Sequence, residues 1–188
     1  MKKEESHKDH SDEDLMTLFI NTKRAEIFTM IYQRYFKSLV KYLFWLSNNS
    51  EAAKDITQNV FIKIYNRPHL FDTSKNFKVW LLSIAKNEWK NYLRKKSNQS
   101  KLLKEVKNTH LPILEMKEDF FYEEKFQKIK RAINLLSENH QEVIILKYSN
   151  NLTIKEIAEV LDCSEGTIKS RLFYALKNLK EVINYEYK

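Results

Sequence analysis

One glycine in 188 residues is the tightest limit on what this chain can become. Hairpin turns need residues at positive φ, and glycine is the residue that sits there without steric cost. A sheet protein of this length would need many such turns. Helices need none in their interiors, and only two prolines interrupt the chain. The predicted fold class is therefore all-α. An apolar content of 43% supports a buried core, in one domain or two small ones. The single cysteine, Cys163, excludes an internal disulfide and a cysteine-cluster zinc site.

The charge is concentrated. Nine basic residues and one acid, Glu88, lie between Lys75 and Lys104, so this segment alone carries +8, equal to the formal net charge of the whole chain. Cation gathered on one element is the footprint of a polyanionic partner. A solvated lysine-rich face is the plainer reading of a charge run taken alone. The N-terminal MKKEESHKDHSDEDL is charged and lacks the apolar stretch of a secretory signal. No run of about 18 apolar residues occurs, so no transmembrane helix is expected and the predicted compartment is the cytoplasm.

Residues 1–12 read as a disordered tail. Helical periodicity begins near Asp12, with Leu15, Leu18 and Phe19 at i, i+3, i+4. A long second helix follows, its apolar face marked by Phe28, Ile31, Tyr32, Tyr35, Leu39, Tyr42 and Leu43. Ser50 is the expected N-cap of a third, with Ala53, Ile56, Val60 and Ile64 inward and Pro68 as its stop. A loop then leads into WLLSIAKNEWKNYLRKK, Trp80 to Lys96. Residues 97–118 are polar, contain Pro112 and have weak period, and read as a flexible linker. Further helical segments fill 119–188. The expectation is two small helical domains, 13–96 and 119–188, with no internal repeat.

LTIKEIAEVLDCSEGTIKSRLFYALKNLK, residues 152–180, is the most specific local pattern. Thr153 and Glu156 form a capping box. Ile154, Ile157, Ala158 and Leu161 line one face. Asp162 and Cys163 make a short turn, and Ser164 caps a second helix with Ile168, Leu172, Ala175, Leu176 and Leu179 inward. Short helix, tight turn, second helix is the helix-turn-helix pattern. Thr167, Lys169, Ser170, Phe173 and Tyr174 fall outside, and these types can bond phosphates and base edges or contact a thymine methyl. Gly166 would let a backbone approach closely.

In the first domain, Asn87, Asn91 and Arg94 sit at i, i+4, i+7, flanked by Lys86 and Lys90. Leu82, Ala85, Trp89 and Leu93 form the opposite, inward stripe. Amides read base edges and lysines hold phosphates. Such a face suits unstacked bases of a single strand.

The two blocks DITQNVFIKIY…NFKVWLLSIAKNEWKNYLRKK and LLSENHQEVIILKYSNNLTIKEIAEVLDCSEGTIKSRL, in this order, resemble a bacterial sigma factor of the extracytoplasmic-function (ECF) group. The resemblance covers about residues 25–185. It implies a sigma-2 and a sigma-4 domain on a linker, and a non-catalytic protein without cofactor or metal. Its implied partners are promoter DNA and core RNA polymerase, through the β′ clamp helices and the β flap. Asp55, Gln58, Asn59, Phe61 and Ile62 match the block that docks on the clamp helices; the family usually carries an acid where Asn59 stands. Lys75, Asn76, Phe77, Lys86, Asn87, Lys90, Asn91 and Arg94 match the surface that captures the melted −10 element. Thr167, Lys169, Ser170, Arg171, Phe173 and Tyr174 match the −35-reading helix. The family commonly has basic residues at the Tyr174 position and near Leu176. Their absence here leaves two readings open: a different −35 sequence, or a partner that brings the chain to DNA, such as another DNA-binding protein or a guided complex. An anti-sigma factor is common in the group. Membrane insertion and a stable homo-oligomer are not expected.

An enzyme is not expected. The five histidines are scattered, and one glycine cannot build a phosphate-binding loop. The other class that fits the residues is a stand-alone helix-turn-helix regulator with a sensing or dimerising N-terminal domain.

Overall fold

The computed structural model describes residues 10–102 and 124–186, and every regular element among them is helical. α1 spans Asp12–Thr22, α2 Ala25–Ser47, α3 Ser50–Asn66 and α4 Phe77–Leu102. They are followed by α5 Glu124–Asn134, α6 Glu138–Ile144, α7 Ile154–Leu161 and α8 Glu165–Glu186. A 3-10 turn at Pro68–Leu70 follows α3, and a π-helical turn at Ile145–Ser149 follows α6. α4 continues through Leu102, past the expected linker start at residue 97. The rest of the predicted linker, and most of the predicted tail, lie outside the described residues.

The helix ends show how the chain manages with one glycine. Lys23, Asn48, Asn151 and Asp162 adopt the left-handed φ that glycine usually supplies, while Gly166 does not. Asparagine and aspartate are the side chains best able to sit there. At the start of α3 the expectation is corrected: Asn49 is the N-cap and accepts from the Ala52 N–H at 2.9 Å, whereas Ser50 is already helical. The Ser47 hydroxyl accepts from the Asn49 N–H and holds that residue extended. α1 is capped by Ser11, which accepts from the Asp14 N–H at 3.0 Å, and its first turn is acidic, as the helix dipole favours.

α1 to α4 pack around Leu15, Phe19, Ile27, Ile31, Tyr42, Val60 and Ala85, all essentially buried. α8 lies against α5, α6 and α7 around Val143, Leu146, Ile157, Ile168 and Ala175. The two helical groups also meet: α4 packs on α7, and the buried side chains of both groups form one continuous cluster. Leu176, expected inward, is 42% exposed. Ala175 fills the inward position beside it, and Leu176 falls on the outer side of α8.

The capping box at α7 is complete. The Thr153 hydroxyl accepts from the Glu156 N–H at 3.2 Å, and the Glu156 carboxylate accepts from the Thr153 N–H at 2.7 Å. The Thr153 N–H, and the Thr153 hydroxyl at 2.8 Å, both donate to that carboxylate and hold the Glu156 pKa below its ordinary 4.5. Its contribution to stability is therefore present above that pH and is lost as the pH falls through the lowered value. Thr153→Ala is expected to cost about 1 kcal/mol in chemical denaturation at neutral pH. The difference from the native chain should shrink in acid.

Candidate nucleic-acid interface

The cationic face of α4 starts from a tied loop. Asp72 accepts from both the N–H and the hydroxyl of Ser74, at 3.1 and 2.7 Å, and those bonds hold its carboxyl below the usual range. Asn76 caps α4, accepting from the Val79 N–H at 3.1 Å. The Phe77 N–H donates to Glu13 of α1 at 2.8 Å, so the loop is anchored to the core of the first group. Lys75 and Asn76 are exposed beside this anchor.

Along α4, Asn87, Lys90 and Arg94 are exposed, and Asn91 is half-buried and bonded to Arg94. Trp80 and Trp89 are both half-buried. Trp80 packs on Phe71 at 4.9 Å between ring centroids, and Trp89 stacks on Tyr92 at 5.6 Å. Two residues matched to the DNA surface are placed differently from the expectation. Phe77 is fully buried, edge-on to Phe71 and Tyr35, and serves as core. Lys86 is 6% exposed, and its ammonium donates to the Val160 carbonyl of α7 at 3.1 Å. Burial pushes the Lys86 pKa down, and Lys90 adds to that; Glu142 and Asp162 oppose it.

On α3, Asp55, Gln58, Asn59 and Ile62 recur at i, i+3, i+4, i+7 and are all exposed on one face. Phe61 is buried beneath them, packed against Phe28 and Tyr32. Ile62 and Tyr65 leave 56% and 46% of their surface exposed. With Phe28, Tyr32, Gln58 and Phe61 they line an apolar groove of about 460 Å³. Tyr65 escaped the sequence reading, although it continues the exposed face three residues after Ile62.

In the second group the turn between α7 and α8 is built as the pattern requires. Asp162 is left-handed, and Ser164 accepts from the Thr167 N–H at 3.1 Å. Lys169, Ser170, Phe173 and Tyr174 are exposed along α8; Thr167 and Arg171 are half-buried. Phe173 and Tyr174 meet edge-on at 5.3 Å and form an aromatic outer face. The sequence reading also passed over Glu142 and Lys130. Both are partners across the two groups, and no local spacing announces such contacts.

This arrangement defines a class: a helix-turn-helix module joined to a helical domain with a cationic, amide-bearing helix. Residues 31–99 match the family model for sigma-70 region 2, and residues 126–179 match that for sigma-70 region 4. The ECF RNA polymerase sigma-E factor of Haemophilus influenzae is 32% identical over 138 residues, covering 69% of this chain and 73% of that protein. The ECF sigma factor SigM of Bacillus subtilis is 27% identical, covering 82% of this chain and 93% of its own length. Among solved structures, the sigma factor RpoE of Bartonella quintana, in complex with the anti-sigma factor NepR, aligns with a TM-score of 0.71 at 26% identity. That alignment covers 84% of this chain and 96% of RpoE. CnrH, in complex with the cytosolic domain of CnrY, shares the fold with a TM-score of 0.70 at 16% identity, covering 93% of this chain and 97% of its own. The chain belongs to the ECF group of sigma-70 family RNA polymerase sigma factors, which direct transcription from specific promoters. Among the described residues, no helix is long and apolar enough to cross a membrane.

The placement of Phe77 yields a direct check. Phe77→Ala should destabilise the chain by about 3–5 kcal/mol, the cost of emptying a buried aromatic site. Phe77→Leu should restore most of that in the same denaturation experiment. A surface base-stacking residue would leave stability nearly unchanged in both.

Proposed function

We propose that residues 13–96 form the sigma-2 domain and 119–188 the sigma-4 domain of a cytoplasmic, non-catalytic initiation factor, with 97–118 connecting them. Asp55, Gln58, Asn59 and Ile62, with the groove beside Tyr65, dock on the β′ clamp helices of core RNA polymerase. Phe61 supports that face from below. Lys75, Asn76, Lys86, Asn87, Lys90, Asn91 and Arg94 take the melted −10 strand. Thr167, Lys169, Ser170, Arg171, Phe173 and Tyr174 face the −35 duplex. The observation that carries the reading is the pairing, in one chain, of a capped helix-turn-helix with a second, separate cationic and amide face on α4. A stand-alone duplex reader would need only the first.

The test is transcription of source genomic DNA by core RNA polymerase with and without the chain, with RNA 5′ ends mapped. Discrete new start sites sharing two upstream elements are expected. Absence of both core binding and new starts would overturn the reading. Ile62→Glu places a charge at the centre of the exposed apolar face and should weaken core binding at least about tenfold, since burying an unpaired charge is costly.

The aromatic outer face of α8 favours a second element in this reading: weak intrinsic hold on −35 DNA, helped by a partner such as another DNA-binding protein or a guided complex. Tyr174 and Leu176 are 51% and 42% exposed, so cations grafted there would reach solvent and phosphate. Tyr174→Arg with Leu176→Arg should tighten duplex binding and steepen its salt dependence, by up to about 1.8 in log–log slope for two added phosphate contacts. An unchanged slope would show that the face is not short of cations.

A further inference from the structure

Beside the exposed Ile62, the end of α3 and the middle of α4 enclose a pocket of about 380 Å³ that none of the assigned surfaces explains. Its polar wall is Asn59, Lys63, Asn66 and Arg67 from the α3 side and Glu88 and Lys95 from α4. The Lys63 ammonium pairs with the Glu88 carboxylate and ties the two helices together. Three cations and one acid leave the pocket at 3 − 1 = +2. That excess belongs to Arg67 and Lys95. Both are exposed, and among the described residues neither side chain has a hydrogen-bond or ion-pair partner. The backbone under Arg67 is held on both sides. Its N–H donates to the Lys63 carbonyl at 3.0 Å, its carbonyl accepts from the Leu70 N–H at 3.2 Å, and the buried Pro68 follows it. A cation on so fixed a base, with no partner of its own, is placed for an anion from outside.

We propose that this pocket is a carboxylate subsite of the polymerase-docking face, in which an aspartate or glutamate of core RNA polymerase seats between Arg67 and Lys95. The inference rests on the assignment of the α3 face to core polymerase.

Ile62 and Asn66 line both this pocket and the apolar groove beside Tyr65, so the two are one continuous surface. A protein laid over Ile62 therefore closes the pocket as well. Cations dried without a partner are strongly unfavourable, so the surface that covers Ile62 must bring an anion. The Arg67 guanidinium offers parallel N–H donors that match the two oxygens of a carboxylate, and Lys95 adds a point charge. Asn59 and Asn66 add amides and no negative charge. A nucleic-acid phosphate could meet the same cations, but the exposed apolar surface of Ile62 and Tyr65 next to them suits a protein interface core better than a sugar–phosphate strand. The opposite end of the same face is acidic, with Glu51 and Asp55 exposed early in α3. The docking face is thus polarised along the helix, acid first and cation last. Asp55 and Arg67 are twelve residues apart, about 18 Å along a helix. A partner element can satisfy both ends in one direction only, with a base against Asp55 and an acid against Arg67. The subsite therefore fixes register and direction as well as adding affinity.

Zero-length carbodiimide coupling, read by mass spectrometry on the full chain with core RNA polymerase and no DNA, tests this. The reagent joins a lysine amine to a carboxylate only where the two are in contact. Lys63 and Glu88 should couple in the free chain and serve as the internal control. On core polymerase, Lys95 should couple to an aspartate or glutamate of one polymerase segment, and the new amine of Arg67→Lys should couple to the same segment. Both positions are exposed, so substitution there empties no core. Arg67→Glu with Lys95→Glu should weaken core binding at least about tenfold, and Arg67→Ala with Lys95→Ala should flatten its salt dependence. Ile62→Glu separates this inference from the reading beneath it. If Ile62→Glu weakens core binding while the double-glutamate chain binds as the native one does and Lys95 gains no cross-link, the carboxylate subsite is overturned and the docking assignment stands. If neither change weakens core binding, both are overturned. Double-glutamate chains that bind core normally but lose affinity for DNA would give the pocket to a phosphate and overturn the carboxylate subsite.

Discussion

α4 carries two demands that pull in opposite directions, and the rest of the structure is arranged around them. One face must bury Leu81, Leu82 and Ala85 against α1 to α3. The other carries most of the chain's excess positive charge. An element like this can pack on a second body only if that body offers electron-rich groups. α7 does so with its C-terminal carbonyls, the π-helical turn does so with Asn150, and α6 does so with Glu142. The same chemistry recommends a nucleic acid. Lysines that accept a helix end as a partner would accept a phosphate at least as well, since both present partial or full negative charge to a donor.

What was legible in the sequence was local. The apolar repeats of α1 to α3, the Thr153–Glu156 box and the Ser164 cap all lie within a few residues of their partners, and all are where their spacing puts them. Misplacements came where two good candidates stood side by side or where a residue's surroundings were distant. Asn49 and Ser50 are both competent caps, and the Ser47 hydroxyl decides between them. Phe77 looked like part of an exposed loop because its neighbours are polar, yet Phe71 and Tyr35 enclose it. Lys86 looked solvated because the carbonyl that holds it lies 74 residues away. Glu142 has no periodic or motif signature, and its importance comes only from the cations that other helices bring to it.

Scarcity of glycine has a functional side as well as a structural one. With left-handed positions filled by Lys23, Asn48, Asn151 and Asp162, the connections are stiffer than glycine would make them. Stiff connections keep each helical group rigid, and a rigid group presents its surface as a unit. The turn between α7 and α8 shows this: Asp162 and the Ser164 cap fix α8 against α7, so the exposed row from Lys169 to Tyr174 is preset before any contact is made.

On the proposed assignments, the three working surfaces are not equally available. The α3 face, with Ile62 and the groove beside Tyr65, is open. The outer row of α8 is open too. On the α4 face Lys86 is covered by α7, while Lys75, Asn76, Asn87, Lys90 and Arg94 are exposed. A factor in this state can meet polymerase first, because that contact needs nothing to move. It cannot take a single strand through Lys86 until α7 leaves.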